Sequence, residues 1–259
     1  MILLRTQPSA LYLFCVLISF AVFSCDSRQR GEDRTAGSDD HPPIESGAQA
    51  TSEDVAPPLD PDPEATADKP PEPTALQRYI DDIDGQGPLM VGIETTEGVI
   101  ECELFADEAP ITVANFVGLA RGLKAFVDPR SGDLVSGTPF YDGVEFHRVI
   151  PNFFIQTGDR SGHGHGGPGY TIPDEFSQSL RHDSEGILTM GNQGEPDSGG
   201  SQFLILEKPV PHLDDHHTVF GQCRSLDVIR AISHVPTRDL NRPIDPAPHI
   251  KSMTFSRQE

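Results

Sequence analysis

The sequence predicts a mainly β domain over residues 76–259, a closed antiparallel barrel capped by two α-helices. Three observations carry this. Short apolar runs of strand length recur along the segment. Glycine- and proline-rich stretches separate them. Two segments carry a sustained helical period.

ALQRYIDDI (75–83) sets Leu76, Tyr79, Ile80 and Ile83 on one face and reads as a short leading helix. Asp81 and Asp82 stand at its unfavourable end for the helix dipole. LMVGIET (89–95) and VIECELF (99–105) read as strands joined by a hairpin at Thr96-Glu97-Gly98. The alternation Glu101-Cys102-Glu103-Leu104 gives one wet face and one core face. In APITVANFVGLARG (109–122), Thr112 is the expected cap. Val113, Phe116, Val117 and Ala120 form the buried side, and Gly122 is the stop. Further strands are expected at VEFHRVI (144–150), FFIQTGD (153–159), GILTMGN (186–192), SQFLILE (201–207) and TVFGQC (218–223). SLDVIRAI (225–232) supplies the second capping helix. KSMTF (251–255) supplies a closing strand with Met253 and Phe255 on one face.

Before the domain the composition changes twice. Residues 1–25 carry Arg5 and an apolar run, Ala10–Phe23, too short for a comfortable membrane span and shaped like a secretory signal. Val22-Phe23-Ser24-Cys25 resembles a bacterial lipobox, which would acylate Cys25; an uncleaved anchor helix would tether the domain equally well. Residues 26–75 hold nine prolines and thirteen acidic residues against four basic ones, and are expected to form a disordered acidic linker. The formal charge of −21 divides into +1 for 1–25, −9 for 26–75 and −13 for 76–259, which excludes nucleic acid as a partner. Cys102 and Cys223 stand in strand-like apolar contexts and are expected to be two buried thiols. The exported, membrane-tethered domain is expected to act as a monomer.

FHRVIPNFFIQTGD (146–159) surrounds one His, one Arg and one Gln with aromatic and aliphatic residues. It offers no nucleophile beside a base, no carboxylate pair and no metal-ligand cluster. One reaction needs none of these. Rotation about a peptide bond meets a barrier of roughly 18–20 kcal/mol. For X-Pro the two isomers lie close in energy yet exchange in tens to hundreds of seconds. A catalyst has only to bind the twisted amide better than either planar form. A guanidinium aimed at the pyramidal nitrogen, a side-chain amide on the carbonyl and an apolar grip on the ring would do this in a water-poor cleft. An acceleration of about 10⁵ requires roughly 7 kcal/mol.

Between Leu89 and Phe255 the chain resembles the cyclophilin-type peptidyl-prolyl isomerases, particularly their exported bacterial members. The resemblance rests on ordered blocks: GVIECELFADEAPITVANFVGLARG, PFYDGVEFHRVIPNFFIQTGD, GGPGYTIPDEF, GILTMGN, GSQFLI and HLDDHHTVFG. It implies an eight-stranded antiparallel barrel closed by two helices, no cofactor and no metal. It implies partners that are proline-containing unfolded or partly folded proteins. Arg148 takes the place of the catalytic arginine, with His147 at the groove edge and Phe153, Phe154 and Gln156 lining the groove. Phe154 stands where many members have methionine. Gly191, Asn192 and Gln193 match the backbone-binding edge, and Gln202 a groove glutamine that orients the substrate amide. Leu204 replaces a phenylalanine of the proline pocket. His212 replaces a tryptophan, followed by the matching Leu213 and His217.

Other readings of the same residues are weaker. Phe146, Val149, Ile150 and Ile155 read as ordinary core. GHGHGGPGY (162–170) has the glycines of a phosphate loop but no following helix, since Pro168-Gly169 continues the loop. His163, His165, Asp214, Asp215, His216 and His217 lack distinctive ligand spacing and read as solvated loop residues. SGGSQF lacks the strand–serine–helix context of a nucleophile elbow. The alternative function is a proline-peptide binding module or envelope scaffold with little turnover, motivated by Leu204 and His212.

Overall fold

The structure, a computed structural model, describes residues 74–258. The export signal expected over 1–25, its Cys25, and all but the end of the linker expected over 26–75 lie outside the described residues. The chain forms α1 (Thr74–Ile80), β1 (Leu89–Thr95), β2 (Gly98–Leu104), α2 (Pro110–Ala120), β3 (Phe126–Val127) and β4 (Leu134–Val135). It continues through β5 (Arg148–Ile150), β6 (Phe154–Thr157), β7 (Ile187–Met190), β8 (Phe203–Leu206) and β9 (Val219–Cys223). Then come α3 (Leu226–Ser233), β10 (Thr237–Arg238), β11 (Arg242–Pro243) and β12 (Ile250–Arg257).

Eight strands make one antiparallel sheet in the order β12-β1-β2-β9-β7-β8-β6-β5. This corrects the expected closed barrel. The ladder ends at β12 on one side and β5 on the other, leaving an open, curled half-barrel. Where the edges approach, Glu145 and His249 form only an isolated bridge. The segment entering β12 contains Pro246 and Pro248, which have no N–H to offer a ladder. Phe146 N can only donate to the Pro248 carbonyl, at 2.9 Å.

The core lies between the curled sheet and α2. Phe116 of α2 is fully buried, its ring centroid 5.3–5.4 Å from those of Tyr141, Phe203 and Phe220. Every residue from Thr112 to Ala120 is buried, so α2 is a central helix rather than a one-sided cap. Thr112 is accordingly not the cap; it sits inside the helix with its hydroxyl unpartnered. The Glu175 carboxylate does that work from 63 residues away, accepting the Ile111 N–H at 3.0 Å and the Thr112 N–H at 2.7 Å. Gly122 ends the helix as expected, at φ +69°.

The expectation of two free thiols is also corrected. Cys102 and Cys223 are direct register partners across β2 and β9 and form a disulfide. Each residue does sit in an apolar strand, as expected, but strand pairing sets the two side chains on one face, opposite one another.

Candidate active site

Strand register assembles the opening motif. Arg148 of β5 is the partner of Gln156 of β6, and Gln156 is in turn the partner of Leu204 of β8. Strand alternation buries Val149 and turns Arg148 outward, its guanidinium carbon 5.0 Å from the centre of the Phe154 ring. Among the described residues no carboxylate pairs with Arg148.

Arg148 stands where two environments meet. On one side is a groove of about 510 Å³ lined by His147, Arg148, Gln156, Gly191, Asn192, Gln193 and Gln202 of the predicted set. On the other, Phe154 and Leu204 belong to a small apolar cluster with Ile187, Leu206, Val210 and Val219; Phe153 and Leu213 pack against it half-buried. His212 is exposed, its ring 6.0 Å from that of Phe153. His217 is tied down by its Nδ1–H, which donates to the Met190 carbonyl at 2.8 Å. At Gly191 an added Cβ would lie 3.2 Å from the Gln202 Cβ, so glycine keeps this edge of the groove open.

The two glutamines have different positions in the network. Gln202 Nε2 donates to the carbonyls of Gly164 at 3.1 Å and Gly166 at 2.9 Å. That orientation leaves its oxygen to accept the Gln156 Nε2–H at 2.9 Å. Gln202 therefore braces both the glycine loop and Gln156, and its oxygen keeps a second lone pair at the groove wall. Gln156 keeps its carbonyl oxygen and one N–H free.

The glycine loop is held from inside. Asp159, 1% exposed, accepts N–H groups from Ser161, Gly164 and His165, and the Ser161 hydroxyl. Burial works to raise the Asp159 carboxyl, but hydrogen bonds from Ser161 and from backbone amides of the loop outweigh it and hold it below the ordinary range. The N–H groups that a phosphate loop would turn outward thus converge on an internal carboxylate. His147 lies under the same loop at the groove wall and is 5% exposed. Among the described residues neither ring nitrogen has a partner in hydrogen-bond geometry, although the Gln202 side chain lies near enough to favour the protonated ring slightly. Burial, reinforced by the charges of Arg242 and Arg148 against an opposing pull from Asp159, lowers its pKa to about 4.

Sequence reading missed two supports. His182, 1% exposed, donates through Nδ1 to Asp214 at 2.8 Å and places Nε2 3.0 Å from the Thr189 hydroxyl. Burial lowers its pKa although Asp214 opposes this. This contact ties the chain before β7 to the segment carrying Leu213 and His217. Leu240, Asn241 and Arg242 also line the groove, from the β10–β11 hairpin. No periodicity or motif marked either group. Among the described residues no cluster of three His, Cys, Asp or Glu could hold a metal ion.

Comparison with known proteins agrees with this geometry. The family profile described as cyclophilin type peptidyl-prolyl cis-trans isomerase/CLD matches residues 90–255. The probable peptidyl-prolyl cis-trans isomerase A of Mycobacterium bovis is 47% identical over 167 residues, covering 63% of this chain and 90% of its own. Peptidyl-prolyl cis-trans isomerase B of Streptomyces anulatus is 41% identical over 161 residues, covering 61% and 91%. A crystal structure of a Cryptosporidium parvum cyclophilin type isomerase, determined in the presence of the dipeptide Ala-Pro, is similar with a TM-score of 0.55 at 29% identity, covering 65% of this chain and 99% of that one. The chain belongs to the cyclophilin-type peptidyl-prolyl cis-trans isomerases.

Proposed function

We propose that this isomerase is exported, anchored through a lipid on Cys25, and accelerates X-Pro isomerisation while extracytoplasmic proteins fold. The run Ala10–Phe23 and the lipobox-like VFSC support the export and the anchor. The acidic, proline-rich 26–75 segment would hold the domain off the membrane surface.

In the proposed mechanism the substrate proline rests against the cluster of Phe154, Leu204 and Leu213, and its imide lies over β5 and β6. Arg148 then faces the imide nitrogen as its lone pair localises, and the free N–H of Gln156 meets the carbonyl oxygen. No proton moves and no bond breaks. The rate gain comes from dipoles already in place before the amide turns. The Ala-Pro dipeptide present in the crystals of the Cryptosporidium relative supports a prolyl ligand for this groove.

One observation carries the assignment of roles: Arg148, which has no ion pair among the described residues, is the register partner of Gln156, a glutamine whose carbonyl and one N–H have no partner among them. The test is a protease-coupled X-Pro assay on residues 74–259. Arg148→Ala should lose about a hundredfold or more in kcat/KM with an unchanged thermal midpoint. Wild-type speed in that variant would remove Arg148 from the mechanism, and a wild-type protein that only retards exchange would be a binder.

A further inference from the structure

We infer that Arg242 is a specificity residue that selects prolyl segments carrying a carboxylate side chain within two or three residues of the proline. The inference rests on the isomerase reading of the groove and names its substrate class.

Charge is the first observation. The chain has 40 acidic residues against 19 basic ones, yet no Asp or Glu lines the groove, whereas Arg148 and Arg242 both do. Six arginines away from the groove find carboxylates, among them Arg121 with Asp82, Arg160 with Asp128, Arg181 with Asp214 and Asp215, and Arg224 with Glu103, while Arg257 bonds the Gly87 carbonyl and Arg238 faces Arg242 across the hairpin. Among the described residues neither Arg148 nor Arg242 has an ion pair. In so acidic a protein, two unpaired guanidinium groups beside one cavity make a local positive site in a negative field. Arg242 is close enough to disfavour a second positive charge on His147.

Placement is the second. Arg242 opens β11, where it is the register partner of Arg238, and the hairpin is fixed at its base by Ile244 N donating to the Pro236 carbonyl at 3.0 Å. The hairpin lies beside β5, the strand that carries Arg148. Its tip is strained: Leu240 and Asn241 are left-handed at φ 62° and 58°. Asparagine tolerates that region, but for leucine it is unfavourable. Leu240 is also 83% exposed, so burial of its side chain does not offset the strain. A strained tip that presents an apolar residue and a fork-shaped cation to a substrate groove has the character of a recognition element.

The two cations then divide the work. An extended peptide advances about 3.3 Å per residue, so a side chain two or three residues from the proline falls roughly 7–10 Å along the groove from the imide. Arg148 serves the turning amide. Arg242 is left to meet a carboxylate, with Leu240 covering the aliphatic part of the same side chain.

The test compares peptides of one length carrying Glu, Gln or Lys two or three residues from the proline, on either side, followed by exchange NMR so that no coupling protease reads the charge. The quantity is the ratio of kcat/KM for the Glu peptide to that for the Gln peptide. Loss of folded enzyme cannot move this ratio. In the wild type at low salt it should be about three- to tenfold at one of the positions, shrinking towards one at about 0.5 M salt. Arg242→Ala should abolish it, Arg242→Lys keep most of it, and Arg242→Glu turn the preference towards Lys. A wild-type ratio near one in an enzyme that turns over the Gln peptide overturns the inference, as does a ratio unchanged in Arg242→Ala. A wild type that turns over none of the peptides refutes the isomerase reading itself.

Discussion

Gln202, just before the neighbouring strand β8, holds Gln156, its oxygen accepting the Gln156 amide at 2.9 Å while its own nitrogen is shared between the carbonyls of Gly164 and Gly166. The amide beside Arg148 is thus fixed by the glycine loop, and the loop is fixed in turn by the buried Asp159 carboxylate. Preorganisation here runs from Asp159 to the loop, to Gln202, to Gln156.

Gln202→Ala should therefore act through Gln156 and the loop together. One hydrogen bond to Gln156 and two to the loop are lost, for an expected fall of about tenfold in kcat/KM. Gln202→Glu should be worse, because a carboxylate would face the two carbonyls that now receive N–H groups. Hydrogen exchange at Gly164 and His165 separates this from a simple substrate contact: exchange should speed up in both variants without any peptide present.

The opening motif and the order of elements were legible because they obey local rules. LMVGIET alternates and becomes β1 over its whole length, and TVFGQC becomes β9 almost unchanged. VEFHRVI alternates over seven residues, yet only Arg148–Ile150 forms a strand; the residues before it meet the facing segment through an isolated bridge and single bonds. The limit comes from Pro246 and Pro248 on the facing segment, far away in sequence. The same distance hid the Glu175 cap, the pairing of Cys102 with Cys223 and the His182–Asp214 contact, each of which joins residues that no local pattern relates. Gln202 lines the groove, and its bracing of the glycine loop is invisible in the sequence. Its partners are backbone carbonyls, which a side-chain pattern does not record.

Glu175 receives both free N–H groups at the start of α2 and is positioned by donating its own N–H to the Thr218 hydroxyl at 2.9 Å. Glu175→Ala should destabilise the domain by about 1–2 kcal/mol, and Glu175→Gln by about half of that, since an amide oxygen can still accept one bond. For a domain of this size the thermal midpoint should fall by about 2–4 °C per kcal/mol. Calorimetry of the two variants checks both the order and the size.

The Cys102–Cys223 bond spans 121 residues and links β2 to β9 in the middle of the sheet order. A cross-link over so long a loop restricts the unfolded chain strongly, by about 4–5 kcal/mol in the chain-entropy treatment. The Cys102→Ala/Cys223→Ala double variant should melt about 10 °C lower, and reductant should lower the wild-type midpoint but not that of the variant. Neither cysteine lines the groove, so turnover at 25 °C should survive in the folded double variant.

His147 makes acid stability a property of the site. Its pKa of about 4 in the folded chain lies below the ordinary 6.5, chiefly through burial, so the unfolded chain binds the extra proton first as pH falls. The stabilisation from keeping this ring neutral is complete above about pH 6.5 and is lost progressively down to about pH 4, amounting to roughly 3 kcal/mol. His182 is shifted in the same direction, also by burial, and adds to the slope. Because both His147 nitrogens are unpartnered, His147→Leu removes the titration without breaking a hydrogen bond. Urea unfolding from pH 7 to pH 4 should show the wild type losing more stability than the variant, by up to about 3 kcal/mol at the acid end. Parallel profiles would mean that the ring titrates near its ordinary value and that burial beneath the glycine loop does not keep it neutral.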